Sequence, residues 1–363
     1  MRLAARLALG AFASLLLAGA QPARAEPLTA FEPAARGTGF AESFDRALRS
    51  QSVPTIALLP ASAYFSESGD TGATVETESK PHTFWIAVIS AATAAGSAYN
   101  SFGDGPSEKW HFTNEGWLGQ YTYAGGGDKA SHIVSFYMVA KLLGGVYEEL
   151  GMKRDSAALL AAGVSTFAGF VTELGDGRGR YGFSYEDLVT DTIGAATFLA
   201  ISHYHLEDLL SLSGGIVPIP DYPCCYDGAF GKDYTQEIYA ANLKIDGLAR
   251  RMHFRPGPAR FLLFSVSYSA KGYPYADPVI RERQIGFSVG INFGQVMKEI
   301  GVPQEVWWGK ILYFLFDVLR IPYTQIGMYY DLNNGNWYGP GIGDQWFTGS
   351  PGTASAAGLR IRR

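Results

Sequence analysis

The feature that most constrains this chain is how unevenly its charge is distributed. From Pro81 to Gly103 there is no Asp, Glu, Lys or Arg. Three further apolar stretches, about Asp128 to Leu150, Ser156 to Leu174 and Tyr185 to Leu210, carry few ionisable residues. Uncharged runs of this length are expected to be helices, since a helix satisfies its own backbone hydrogen bonds. Their lengths straddle the roughly 20 residues that crossing a bilayer requires. The four helices therefore either meet lipid or form the core of a water-soluble bundle. Small residues along the third (Ala157, Ala158, Ala161, Ala162, Gly163, Ala168, Gly169) allow close helix contact in either solvent.

Composition tilts that choice toward a membrane. Only 17% of the 363 residues are charged while 14% are aromatic, a balance that suits buried or interfacial surface. The start of the chain has the form of a secretory leader over residues 1–25: basic Arg2 and Arg6, an apolar run from Leu7 to Ala20, and Ala23-Arg24-Ala25 as the cleavage site. Loss of Arg2, Arg6 and Arg24 with the leader takes the net charge from −5 to −8. A nucleic-acid partner is not expected of so acidic a chain. The two cysteines, Cys224 and Cys225, are sequence neighbours and cannot staple a fold in the oxidising envelope.

The expected organisation is a poorly ordered segment over 26–80, a helical bundle over 81–212, a Pro/Gly/Tyr-rich loop over 213–234, a strand-and-helix region over 235–345 and a flexible tail over 346–363. The fold class is α+β, mainly α: an apolar bundle followed by a small antiparallel sheet with additional helices. Ile238, Ala241, Ile245, Leu248 and Met252 fall at the spacing of one helical stripe. Arg260–Tyr268, Arg283–Phe293 and Tyr323–Leu332 are expected to be strands, and in the second Ile285, Phe287, Val289, Ile291 and Phe293 alternate with small or polar residues. Three strands are too few to close a membrane barrel.

Hydrolase elbows, zinc-protease helices and phosphate loops are missing from the sequence. Instead, ionisable groups gather at the ends of the apolar helices. Asp128 and His132 lie four apart, on one helical face, where a carboxylate fixes an imidazole's tautomer and raises its basicity. Asp128 alternatively caps the helix after Gly125-Gly126-Gly127. Glu173 ends a long uncharged helix, where the helix dipole disfavours an acid, and wants a partner among Lys129, His132, Arg178 and Arg180. Asp176-Gly177 has turn character, and Ser184 with Asp187 fits an acidic capping box. Asp191 shares the Asp187 face inside an apolar helix, so it is expected to turn toward the other polar groups. Trp117 belongs to an aromatic cluster that is either an interfacial belt or core packing.

The ordered motifs Trp110-His-Phe-Thr-Asn-Glu-Gly-Trp117, Asp128-Lys-Ala-Ser-His132, Glu173-x-x-Asp-Gly177 and Gly182-Phe-Ser-x-x-Asp187-x-x-x-Asp191-x-x-Gly194 resemble the YfiM-like predicted periplasmic lipoproteins, a group of unknown function. More distantly they are similar to VanZ-like membrane proteins. The resemblance implies an envelope setting and no defined reaction. Asp191 stands where the family carries Asn, and the lipoprotein Cys is missing from the leader.

The resulting expectation is an exported envelope protein on the periplasmic side, associated with or embedded in a membrane and contacting lipid or a cell-wall component, with a polar cluster locking its bundle. The alternative is a membrane-surface, hydrolase-like enzyme acting on a lipid or glycan precursor. In that reading His132 is the acid/base, Asp128 orients it, and Glu173 with Asp191 binds a metal or cationic group, while Lys129, Asp176, Ser184, Asp187 and Trp117 make up the binding set. The sequence names no cofactor, metal or protein partner.

Overall fold

The described residues begin with four long helices: α1 (Thr83–Phe102), α2 (Gly127–Glu149), α3 (Arg154–Asp176) and α4 (Tyr185–His203). A computed structural model describes residues 81–102, 109–179, 181–216, 234–273 and 281–342. The expected leader, the 26–80 segment, Arg180, the cysteine pair and the 346–363 tail lie outside the described residues.

Helix α2 is the centre of the bundle, packed on α3 and α4 and, on its other side, against a sheet. Tyr137, Leu143, Val146 and Tyr147 of α2 meet Ala157, Ala158 and Ala161 of α3 and Ala195 and Phe198 of α4, all buried. The alanine row of α3 contributes no bulk, which lets the helices approach closely. Gly194 does the same for the α2–α4 crossing, because a Cβ at that position would lie 2.2 Å from the carbonyl oxygen of Ile133. Among the described residues, α3 is the one helix long and apolar enough to cross a membrane by length and composition.

Two small strands lace the bundle's loops together. β1 (Phe112–Thr113) runs parallel to β2 (Phe183–Ser184), and the rings of Trp110, Phe112 and Phe183 pack edge-to-face around the pair. Six longer strands then form one antiparallel meander: β3 (Leu210–Ile216), β4 (Glu237–Lys244), β5 (Leu262–Lys271), β6 (Glu282–Ile291), β7 (Gln325–Asp331) and β8 (Trp337–Ile342). Short α5 (Ile245–Arg251) follows β4, while α6 (Phe293–Glu299) and α7 (Trp307–Val318) separate β6 from β7. Asp317 of α7 bridges Lys141 of α2 and Lys244 at the end of β4 (2.5 Å for the latter), tying bundle to sheet. The class is α+β, mainly α, as expected.

Three details differ from the sequence reading. The stripe from Ile238 to Met252 is not one helix: its first half is β4, hydrogen-bonded to strands on both sides, and only residues from Ile245 onward are helical. The expected fourth helix ends at His203, and Leu210–Ile216 is a strand that crosses the 212/213 boundary. Among the described residues the sheet has six strands rather than three, in an open order from β3 to β8, still fewer than the roughly eight of the smallest outer-membrane barrels.

The sheet also buries the face opposite to the usual one. One row across five strands, Ser211, Asn242, Ser265, Ser288 and Gly327, is buried. The next row, Leu212, Ala241, Val266, Phe287 and Met328, is half-buried or exposed. Along β5 the alternation is direct: Phe264 and Val266 are 47% and 52% exposed, while Ser265 and Ser267 are each 3% exposed. Several of the buried polar groups bond one another. Asn242 donates to Ser213 Oγ at 2.9 Å, Ser265 donates to Asn242 Oδ1 at 2.7 Å, and Arg320 donates to Ser288 Oγ at 2.9 Å.

Candidate functional site

The site begins where glycine lets the chain turn sharply into α2. Gly125 and Gly126 sit at φ +60° and +88°, conformations open to glycine at little cost. The helix then starts with Asp128 and Lys129 in its first turn and presents His132 one turn later. Asp128 makes no cap; its carboxylate is used by side chains instead. Lys129 Nζ, almost fully buried, donates to Asp128 at 2.8 Å, to Asp187 at 2.5 Å and to Glu115 at 2.7 Å. Tyr234, in the turn of 3-10 helix preceding β4, donates its hydroxyl to Asp128 Oδ1 at 2.8 Å. Glu115 reaches this point because the β1–β2 pair holds its loop beside the start of α4.

Helix α4 supplies the facing acids. Ser184 caps it by accepting from the Asp187 amide at 3.2 Å. In a full capping box the acid would return the bond to the Ser184 amide. Here that amide donates to Glu173 Oε2 of α3 at 2.9 Å, which leaves Asp187 free for Lys129. The partner that Glu173 needs is therefore a backbone N–H and not one of the expected cations. One turn beyond Asp187, fully buried Asp191 binds His132 Nδ1 through Oδ1 at 2.7 Å. Asp128 lies 3.5 Å from His132 Nε2, so Asp191 is the closer orienting group.

Charge at this centre is governed by burial and by the two cations. Burial disfavours the His132 imidazolium, but the carboxylates of Asp187, Asp191 and Asp128 outweigh it and hold the ring protonated well above its ordinary range. The same balance keeps Lys129 charged against burial. Burial pushes Asp128 up, yet His132 and Lys129 draw it below the usual carboxylate range. Glu173 is raised to about 10 by burial and then by the charge of Asp187. Glu115 is raised to about 9 by burial and the charges of Asp128 and Asp187. Asp191 rises to about 6, chiefly through burial. Asp176, half-buried at the end of α3, rises to about 7 for the same first reason and is coupled to the cluster by charge.

The cluster thus brings together Asp128, Lys129, His132, Glu173, Ser184, Asp187 and Asp191. Asp176 stands at its margin. Trp117 lies outside it, partly exposed, edge-on to Tyr185 at 6.4 Å. Among the described residues two groups have ligand atoms close enough to hold one cation, Asp128/His132/Asp187 and His132/Glu173/Asp191, each set within 4.8 Å. The first already surrounds the Lys129 ammonium. Glu115 and Tyr234 were missed by sequence reasoning. Glu115 fell within the Trp110–Trp117 motif, a signal that could have found it; Tyr234, in a tyrosine-rich stretch, carried none.

Residues 114–202 match the model of DUF2279, described as a predicted periplasmic lipoprotein family. The matched span contains every cluster residue except Tyr234, and its description fits an exported envelope protein. No curated protein and no solved structure matches the chain.

Proposed function

We propose that this is an exported cell-envelope protein that lies against a membrane and contacts lipid, with its buried Asp/Lys/His cluster locking the helical bundle in shape. The observation that carries this reading is the inverted sheet. Antiparallel sheets at a water interface bury the apolar face and wet the polar one. This sheet hydrogen-bonds its Ser/Asn face internally and exposes Phe264, Val266, Phe287, Ile291 and Ile326, the polarity that strands adopt against hydrocarbon. Exposed Phe84 and Val88 on α1 and Leu159, Phe167 and Phe170 on α3 extend the same character to the bundle. The YfiM-like and VanZ-like resemblances point to the same setting. Burying one such side chain contributes about 1.5–3 kcal/mol. The test is vesicle flotation of the purified protein, wild type against the Phe264→Ser, Val266→Ser, Phe287→Ser triple variant. Wild type should float and the variant should lose at least about tenfold in partitioning, since 1.4 kcal/mol is already a factor of ten. Equal flotation of both, or sedimentation of the wild type as soluble monomer, would refute the reading.

A second reading, an enzyme at the membrane surface, draws on His132. Its side chain is 21% exposed while its Asp191 partner is fully buried, so a held imidazole faces outward where a lipid or glycan precursor could meet it. In that reading His132→Gln abolishes envelope function in the native host while the folded protein accumulates normally; full complementation by the variant excludes it.

A further inference from the structure

We propose that His132, Glu173 and Asp191 form a site for one divalent transition-metal ion of the zinc or manganese class. The three donors come from α2, α3 and α4, and their ligand atoms lie within 4.8 Å of one another. His132 Nδ1 and Asp191 Oδ1 are 2.7 Å apart. Two tetrahedral ligands of one ion with bonds of about 2.1 Å stand roughly 3.4 Å from each other, so the pair needs to open by about 0.7 Å.

An independent observation is the second oxygen of Asp191. The residue is 0% exposed and its Oδ2 has no hydrogen-bond partner among the described residues. That oxygen is lodged against α3 at Gly169, where a Cβ would lie 2.3 Å away. Glu173 is one turn further along the same face of α3. Buried carboxylate oxygens are seldom left without a donor or cation, because nothing then replaces the water they lost. The Lys129 ammonium does not serve this purpose: it is taken up by Asp128, Asp187 and Glu115. An imidazole nitrogen beside two carboxylates favours zinc or manganese over magnesium and calcium, which prefer all-oxygen shells. The partly exposed His132 side chain marks the way in.

The site does not depend on the lipid reading, and its test is separate from flotation. The full chain, purified in mild detergent and stripped with chelator, is titrated calorimetrically with Zn2+, Mn2+ and Mg2+, and its thermal unfolding is followed with and without each ion. The expected result is one Zn2+ or Mn2+ per chain, Mg2+ at least about 100-fold weaker, and a rise in Tm on binding. Asp191→Asn and Glu173→Gln should each weaken binding at least about tenfold and abolish that rise, while Glu115→Gln, whose side chain bonds Lys129 and is not one of the three donors, leaves both intact. Should Asp191→Asn fail to fold, Glu173→Gln carries the test alone, because its amide oxygen still accepts from Ser184. Lack of saturable binding by the stripped wild type overturns the proposal, as does unchanged affinity in the foldable ligand variants.

Discussion

The bundle and the sheet both turn polar groups inward, but with different chemistry. In the bundle the inward groups are ionisable, come from α2, α3, α4 and two connecting segments, and meet at one point around Lys129 and His132. In the middle of the sheet they are neutral, Ser211, Ser213, Asn242 and Ser265, and each bonds a neighbour one strand away, while the ionisable Lys271, Glu282 and Asp331 are buried toward one end of the same face. Burying a charge is tolerable only with its partner in place, so the bundle's arrangement is all or nothing. A row of neutral hydrogen bonds loses one member at a time, each worth little on balance. The lesson is that a greasy exterior can be backed by a brittle interior or by a forgiving one.

The harshest way to break the comparison is to remove the bundle's ammonium. Lys129→Met removes the ammonium shared by Asp128, Asp187 and Glu115, leaving the first two with only the longer cation contacts to His132, and should cost about 3–5 kcal/mol in urea unfolding. A loss below about 1 kcal/mol would mean that the cluster is not the lock proposed for it.

A gentler probe uses pH. Glu115 is raised from 4.5 to about 9. An acid whose folded value lies above its unfolded one keeps its proton in the native state between the two, so stability is full below the lower value and falls as pH rises. Metal-free wild type should lose stability between about pH 5 and pH 9, and Glu115→Gln should remove up to about 1.4 kcal/mol per pH unit of that slope. Raised Glu173 and His132 add slope of the same sign and remain in the variant, so the difference isolates Glu115. Identical slopes in thermal melts across this range would contradict the assignment.

The smallest effect belongs to the sheet. Ser265→Ala deletes the bond to Asn242 and should cost about 0.5–1.5 kcal/mol, with flotation unchanged. A loss as large as that of Lys129→Met would erase the contrast between the two regions.

How much of this was legible in the sequence follows the same division. Long uncharged runs announced α1 to α4, and acids stranded at their ends announced Asp128, Glu173, Asp187 and Asp191 as a group, because isolation there is costly. The alternation in β6 was equally visible, but alternation states only that two faces differ and not which one is hidden. Ile238 and Ala241 matched by chance the helical period that Ile245 and Leu248 do follow; pairing with β3 and β5 overrode it over β4, which is a tertiary effect that no local window contains. Tyr234 and Glu115 enter the cluster from connecting segments whose positions depend on that same long-range pairing.

The hydroxyl of Tyr234 has a consequence of its own. It donates to Asp128 from the segment leading directly into β4, and Tyr268 of β5 donates to the carbonyl of Gly125 just ahead of α2. These two phenols fasten the sheet to the first turn of the helix that carries the charges. Whatever alters the occupancy or protonation of the acids therefore pulls on the strands at the same joint, and an event at the ionic centre reaches the outer wall of the protein without passing through the hydrophobic core.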